Sequence, residues 1–197
     1  MHCARASLKP IRLPQSPPHL PKQSPAQERV KHHPAVPWRD IPTVATRLCP
    51  EDKTNIGRDA LLFLILTAGR SGEIRDAQWQ EFNLRGRIWT DPAWRMKTKR
   101  VHRVALSSVA VDLIERRKVL RLDKTFVFSR GGGRPISAMT MTKMLRDHKV
   151  PRDTPGRLAT AHGFRSNFRD WAFENGDPKD VAERAISHTV RNQKEAA

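Results

Sequence analysis

Among the 197 residues there is no tyrosine. This sequence therefore offers no phenol as nucleophile or proton donor. Cysteine is nearly as scarce. Cys3 and Cys49 lie far apart and outside any CxxC spacing, which excludes a disulfide framework and a zinc ribbon and fits a reducing compartment. None of the histidines has metal-ligand spacing near a cysteine, so neither a metal nor another cofactor is expected. Long apolar runs are missing too. The longest, Ala60 to Leu66, falls well short of the ~20 residues of a spanning helix. The N-terminus, Met1-His2-Cys3-Ala4-Arg5, has no apolar region of a secretory signal behind it. The expectation is a cytoplasmic protein without a membrane partner.

Acidic residues are in short supply: 20 Asp and Glu face 37 Lys and Arg, a net charge of +17. With a pI near 11.1, the charge points to a polyanion, most often nucleic acid. A ribosomal-type or merely basic surface is the alternative on charge alone.

Residues 1–36 concentrate proline (Pro10, Pro14, Pro17, Pro18, Pro21, Pro25, Pro34), with few strong apolar residues and no periodicity. This composition predicts a disordered arm or linker. Residues 37–197 read as one globular domain. A short helix is expected over Asp40–Leu48 and a buried one over Asn55–Ala68. Ser71 is expected to cap a third helix running toward Trp79. Segments around Phe82–Leu84, Arg87–Thr90, Trp94–Lys97 and Val101–Leu106 suggest a small antiparallel sheet. Ser107 or Ser108 caps a helix to about Leu120. Phe126–Phe128 is extended and Gly131–Gly133 a flexible loop, weak as a phosphate loop because no GK[ST] follows. Ser137 caps a helix through Leu145, and two more follow at about 161–175 and 178–188. The class is α+β, mainly α, with a small three-stranded antiparallel sheet.

Four places bear on chemistry. In the helix at 161–175, Phe164, Phe168, Trp171 and Ala172 form an apolar stripe, while His162, Arg165 and Arg169 share another face. A helix N-terminus with this histidine and arginine suits an anion; a solvated basic face is the plainer reading. In Gly69-Arg70-Ser71-Gly72-Glu73, Arg70 is either a loop charge or is held inward by Glu73. Between residues 95 and 103 stand Arg95, Lys97, Lys99, Arg100 and Arg103, which fits DNA phosphates or a solvated sheet edge. Finally, Asp177-Pro178 opens a last helix with His188 at its end, where a lone histidine is usually a capping residue.

In this order, Leu66-Thr67-Ala68-Gly69-Arg70-Ser71-Gly72-Glu73, Arg95-Met96-Lys97 with His102-Arg103-Val104-Ala105-Leu106-Ser107, His162-Gly163-Phe164-Arg165 with Phe168-Arg169-Asp170-Trp171, and Ile186-Ser187-His188 resemble the tyrosine recombinases. They closely resemble the integrases of prophage and genomic-island elements. The match runs from about Lys31 to Ala197. The resemblance implies that family's catalytic-domain fold, double-stranded DNA as partner, no small-molecule substrate, and metal-free phosphoryl transfer through a 3′-phosphotyrosyl bond. Carried over by position, Arg70, Arg165 and His188 bind the phosphate oxygens, Lys97 protonates the leaving 5′-oxygen and His162 helps take the nucleophile's proton. Glu73 positions the site behind them, and Arg95, Lys99, Arg100, Arg103 and Arg169 contact DNA.

The departure from the family lies at the nucleophile. Relatives run from a similar NKxEAA stretch into the attacking tyrosine, and here Asn192-Gln193-Lys194-Glu195-Ala196-Ala197 ends the sequence. No core-binding or arm-binding domain is legible before residue 31. The expectation is a catalytic-domain fragment, cut at both ends, that binds DNA but does not cleave it alone. The alternatives are a DNA-binding regulator, or a pocket completed in trans by a full-length recombinase.

Overall fold

The computed structural model describes residues 35–49, 55–96, 99–150 and 158–187. The chain divides into two units, Met1–Lys31 and His32–Ala197, and every described residue belongs to the second. Ala35 and Val36, which composition assigns to the arm, are buried. The Val36 carbonyl accepts a hydrogen bond from Nδ2 of Asn167, so the domain begins before residue 37.

Seven α-helices and three strands are described. α1 (Ile41–Leu48), α2 (Ile56–Thr67) and α3 (Ser71–Arg75) precede β1 (Phe82–Asn83), β2 (Ile88–Asp91) and β3 (His102–Ala105). α4 (Ser108–Leu120), α5 (Thr140–Asp147), α6 (Gly163–Glu174) and α7 (Lys179–Ala185) follow. The sheet is antiparallel in the order β1-β2-β3, as the class assignment expects. Its third expected segment, Trp94–Lys97, is a turn as far as Met96.

α2 is the central helix. Asn55 caps it, its side chain accepting from the amides of Gly57 and Arg58 at 2.9 and 3.3 Å. Gly57 lets α5 approach closely, because a Cβ there would sit 2.8 Å from Sδ of Met144. On the sheet side, the ring of Phe63 packs 5.4 Å from Trp89 and 5.7 Å from Phe128. Such tilted aromatic pairs add about 0.5–1.5 kcal/mol each to the burial itself. The core is this layer of α2, α4 and α5 against the sheet.

Three caps differ from expectation. Arg70 rather than Ser71 is the N-cap of α3, and α3 stops at Arg75. Glu73 explains the first shift, since its side chain bonds the Arg70 amide and fixes the helix start one residue early. The second follows from a 3-10 turn at Trp79–Glu81 that takes over the chain. Pro178, not Asp177, stands at the cap of α7, and Met139, not Ser137, at that of α5.

The glycine run is a built turn. Gly131, Gly132 and Gly133 all have left-handed φ, at 99°, 74° and 68°. Asp123 accepts from the amide of Gly133 at 2.8 Å, and Ser129 Oγ from that of Gly131 at 3.0 Å. Two of the loop's amides are thus already taken by side chains of the chain itself.

Candidate active site

α2 ends at Ala68, whose left-handed backbone (φ 48°) turns the chain sharply into α3. Arg70 is fixed in that turn. Its amide donates to Oε2 of Glu73 at 2.9 Å and its Nη1 to Oε1 at 2.5 Å. Glu73 is buried, so one carboxylate sets both the helix start and the direction of the guanidinium. The two readings of Arg70 are thereby decided: it is held inward by its partner three residues on.

Arg165 enters from the first turn of α6. It is 3% exposed, deeper than Trp171 of the supposed apolar face at 40%. Its Nη1 donates to the Ala68 carbonyl at 2.8 Å and its Nη2 to the Ile186 carbonyl. Nη2 of Arg70 reaches the next carbonyl, Ser187, at 3.2 Å. Two arginines distant in sequence thus meet over the turn that ends α7.

The charges do not balance there. Glu73 pairs with Arg70, whereas Arg165 donates to neutral carbonyls, and its buried Nε has no partner among the described residues. Burial, then the neighbouring Arg70, lower the Arg165 guanidinium to about 10. It stays charged at neutral pH. Its neighbouring carboxylates, Glu73 and Glu183, pair with Arg70 and Arg169, and a buried cation without an anion of its own is costly unless a ligand supplies one. An oxyanion able to take two N–H bonds from a planar fork fits this need.

The basic hairpin splits into two populations. Lys99, Arg100 and Arg103 are exposed, as DNA contacts require. Arg95 is not, and its assignment to DNA is corrected. At 8% side-chain exposure it is clamped between Glu81 at 2.6 Å and Asp91 at 2.8 Å, and it also donates to the Asp76 carbonyl. Burial pushes the Asp91 carboxyl up, against the pull of Arg95. Arg95 therefore anchors the base of the hairpin. Alternating charge in the sequence had no way to mark it as different from its neighbours.

Arg169 is half-exposed and pairs with Glu183 of α7 at 2.9 Å. His162 is exposed at the N-cap of α6. Lys97 and His188 lie outside the described residues. Sequence reasoning missed His102. It is half-buried on β3, near Glu73, Arg70, Arg165 and the Ala185 carbonyl. The available signal was register, because His102 lies on the same side of its strand as the buried Val104.

Comparison with known proteins places this geometry. The chain is 32% identical over 184 residues to the integrase of Enterobacteria phage P4, covering 86% of this chain and 41% of that protein. It is 31% identical over 138 residues to prophage integrase IntA of Escherichia coli (strain K12), covering 69% and 32%. It thus spans less than half the length of these relatives. Among solved structures, the Tn1549 transposon integrase in complex with circular-intermediate DNA superposes with a TM-score of 0.65 at 14% identity, over 83% of this chain and 60% of that one. A lambda integrase dimer bound to a core site gives 0.62 at 12%, over 85% and 62%. Likeness at these identities shows the fold, that of the recombinase catalytic domain. Residues 44–193, which hold both arginines, Glu73 and the hairpin, match the phage integrase family, and the chain belongs to it.

Proposed function

We propose that this chain supplies the DNA-phosphate pocket of a site-specific recombinase, with Arg70 and Arg165 binding the non-bridging oxygens of the scissile phosphate. The observation that carries this reading is the buried Arg165, whose Nε has no partner among the described residues, beside a second guanidinium that Glu73 holds. Preorganised donors of this kind stabilise the charge that develops in phosphoryl transfer. Glu73 holds Arg70 in place. Lys99, Arg100 and Arg103 add exposed charge for the flanking backbone. Lys97 is the proposed acid for the leaving 5′-oxygen, His188 a further donor and His162 an aid to the nucleophile.

The reaction's nucleophile lies outside these 197 residues, which contain no tyrosine. The chain alone therefore binds duplex DNA without forming a covalent adduct. The second reading we propose is that an intact recombinase provides the tyrosine in trans, with this chain as its partner.

The test is fluorescence anisotropy with a labelled duplex carrying the element's attachment sequence, for the wild type and for Arg165→Gln and Arg70→Gln. Both variants are expected to weaken binding at least about tenfold, the effect of losing one charge-assisted contact. Binding indifferent to both substitutions would overturn the pocket. Mixing the chain with a full-length recombinase whose own arginine pocket is disabled tests the second reading: restored strand cleavage supports it, and none rejects it.

A further inference from the structure

Three successive carbonyls stand where α7 stops: Ala185, its last residue, Ile186, its C-cap, and Ser187 just beyond. Ile186 and Ser187 accept from Arg165 and Arg70, and the Ala185 carbonyl lies beside His102. The last carbonyls of a helix have no partner within it and form its negative pole, so three cation-capable side chains at this place are well matched. Ser187 adopts a left-handed φ of 54°, which turns the chain as the helix stops. In sequence, the segment that follows begins with His188.

The position of His102 follows from strand register. β2 and β3 pair with Trp89 opposite Val104 and Asp91 opposite His102. Residues directly opposite in an antiparallel pair project to the same face. Trp89, Asp91 and Val104 are buried while Arg103 and Ala105 are exposed, so His102 points inward. The charged groups around it are Glu73 of α3, Arg70 before it, Arg165 of α6, and Asp91, whose carboxylate is held by Arg95.

We propose that His102 is a positioning residue of the phosphate pocket, coupling its own proton occupancy to the seating of the 185–187 turn on Arg165 and Arg70. The inference rests on the phosphate-pocket reading above. Without DNA, burial lowers the tendency of His102 to protonate, and the two guanidinia lower it further against the pull of Glu73. The ring is then neutral near pH 7, beside the Ala185 carbonyl. A phosphate between the guanidinia supplies the negative charge that a protonated His102 lacks. DNA binding is accordingly accompanied by proton uptake at this ring. The turn and the pocket then tighten together, because the same three side chains serve both.

The test is a pH titration from 5 to 8 by NMR, on wild type and His102→Gln, a variant that keeps a side-chain donor but cannot titrate. Without DNA, the Ile186 and Ser187 amides are expected to shift with the midpoint of the His102 ring, and the shift is expected to vanish in His102→Gln. Amides that do not move, or that move alike in the variant, overturn the proposal. Saturating duplex is then expected to raise the ring's proton affinity about tenfold, within the usual range of coupling between sites. A ring midpoint unmoved by bound duplex also overturns it. The pocket reading fails differently: duplex binding insensitive to Arg165→Gln would reject that reading while leaving the DNA-free titration as it stands.

Discussion

Nη1 of Arg165 donates to the carbonyl of Ala68 at 2.8 Å, joining residues 97 positions apart. That carbonyl belongs to the left-handed residue that ends α2. The arginine of α6 is therefore fixed to the very turn that presents Arg70. The two guanidinia share one frame and are held ready before any DNA arrives, so little reorganisation is needed on binding.

An anion should consequently stabilise the folded protein through Arg165. Duplex at a hundredfold excess over its Kd is expected to add about 2.7 kcal/mol to wild type, seen as a rise in Tm. At the same DNA concentration Arg165→Gln is expected to gain clearly less. Arg165→Lys is not expected to restore the gain, since a single ammonium does not reproduce the fork that spans Ala68, Ile186 and the free Nε side. Equal gains in all three proteins would contradict this account.

The hairpin arginines separate by salt dependence. Arg100→Ala and Arg103→Ala are each expected to reduce the slope of log K against log salt by about 1, as loss of one phosphate contact does. Arg95→Ala is expected to leave the slope alone and to destabilise the fold by about 3 kcal/mol, because it strands Glu81 and Asp91 in the interior. Urea denaturation and anisotropy on the same three variants decide the matter. An Arg95→Ala protein of normal stability with a reduced slope would return Arg95 to the DNA surface.

These contrasts show what was readable from residues alone. The helix pattern, the sheet and the ordered motifs were legible because apolar spacing and turn chemistry are local. The depth of Arg165 was not. An amphipathic stripe assigns Trp171 to the interior and Arg165 to water, and the fold does the reverse because two distant backbone turns offer carbonyls to the guanidinium. Arg95 and Arg103 look alike in sequence, and only the acidic pair beneath Arg95 distinguishes them. His102 was hidden for the same reason: its surroundings come from α3, α6 and α7, none of them near it in the chain.

Cys49 provides a check on the α1–α2 packing. Burial, and secondarily Asp59, push its thiol up to about 11 from an ordinary 9.0, and its Sγ is hydrogen-bonded to the Arg58 carbonyl at 3.4 Å. At pH 8 the thiolate fraction is then about a hundredfold below that of a free cysteine, and only the thiolate reacts. In a Cys3→Ser background, alkylation by iodoacetamide is expected to be slower by about that factor in the native protein than in urea. Comparable rates in both would mean that Cys49 is not enclosed.

The pH dependence of stability tests His102 without DNA. Its proton affinity is lowered in the folded state, chiefly by burial, so the unfolded chain takes up the proton first as pH falls. Below the ordinary histidine value of about 6.5 the unfolded state binds more protons at this site than the folded one, and stability declines toward the folded midpoint. Above that value both states hold a neutral ring, and the site contributes no slope. Other histidines also titrate in this window, so the informative quantity is the difference between wild type and His102→Gln. Urea unfolding between pH 5 and 8 is expected to show wild type losing more stability on acidification than the variant, with the two curves parallel above pH 7. Bound duplex should narrow the contrast, since a phosphate in the pocket favours the protonated ring and offsets the loss that wild type otherwise shows on acidification.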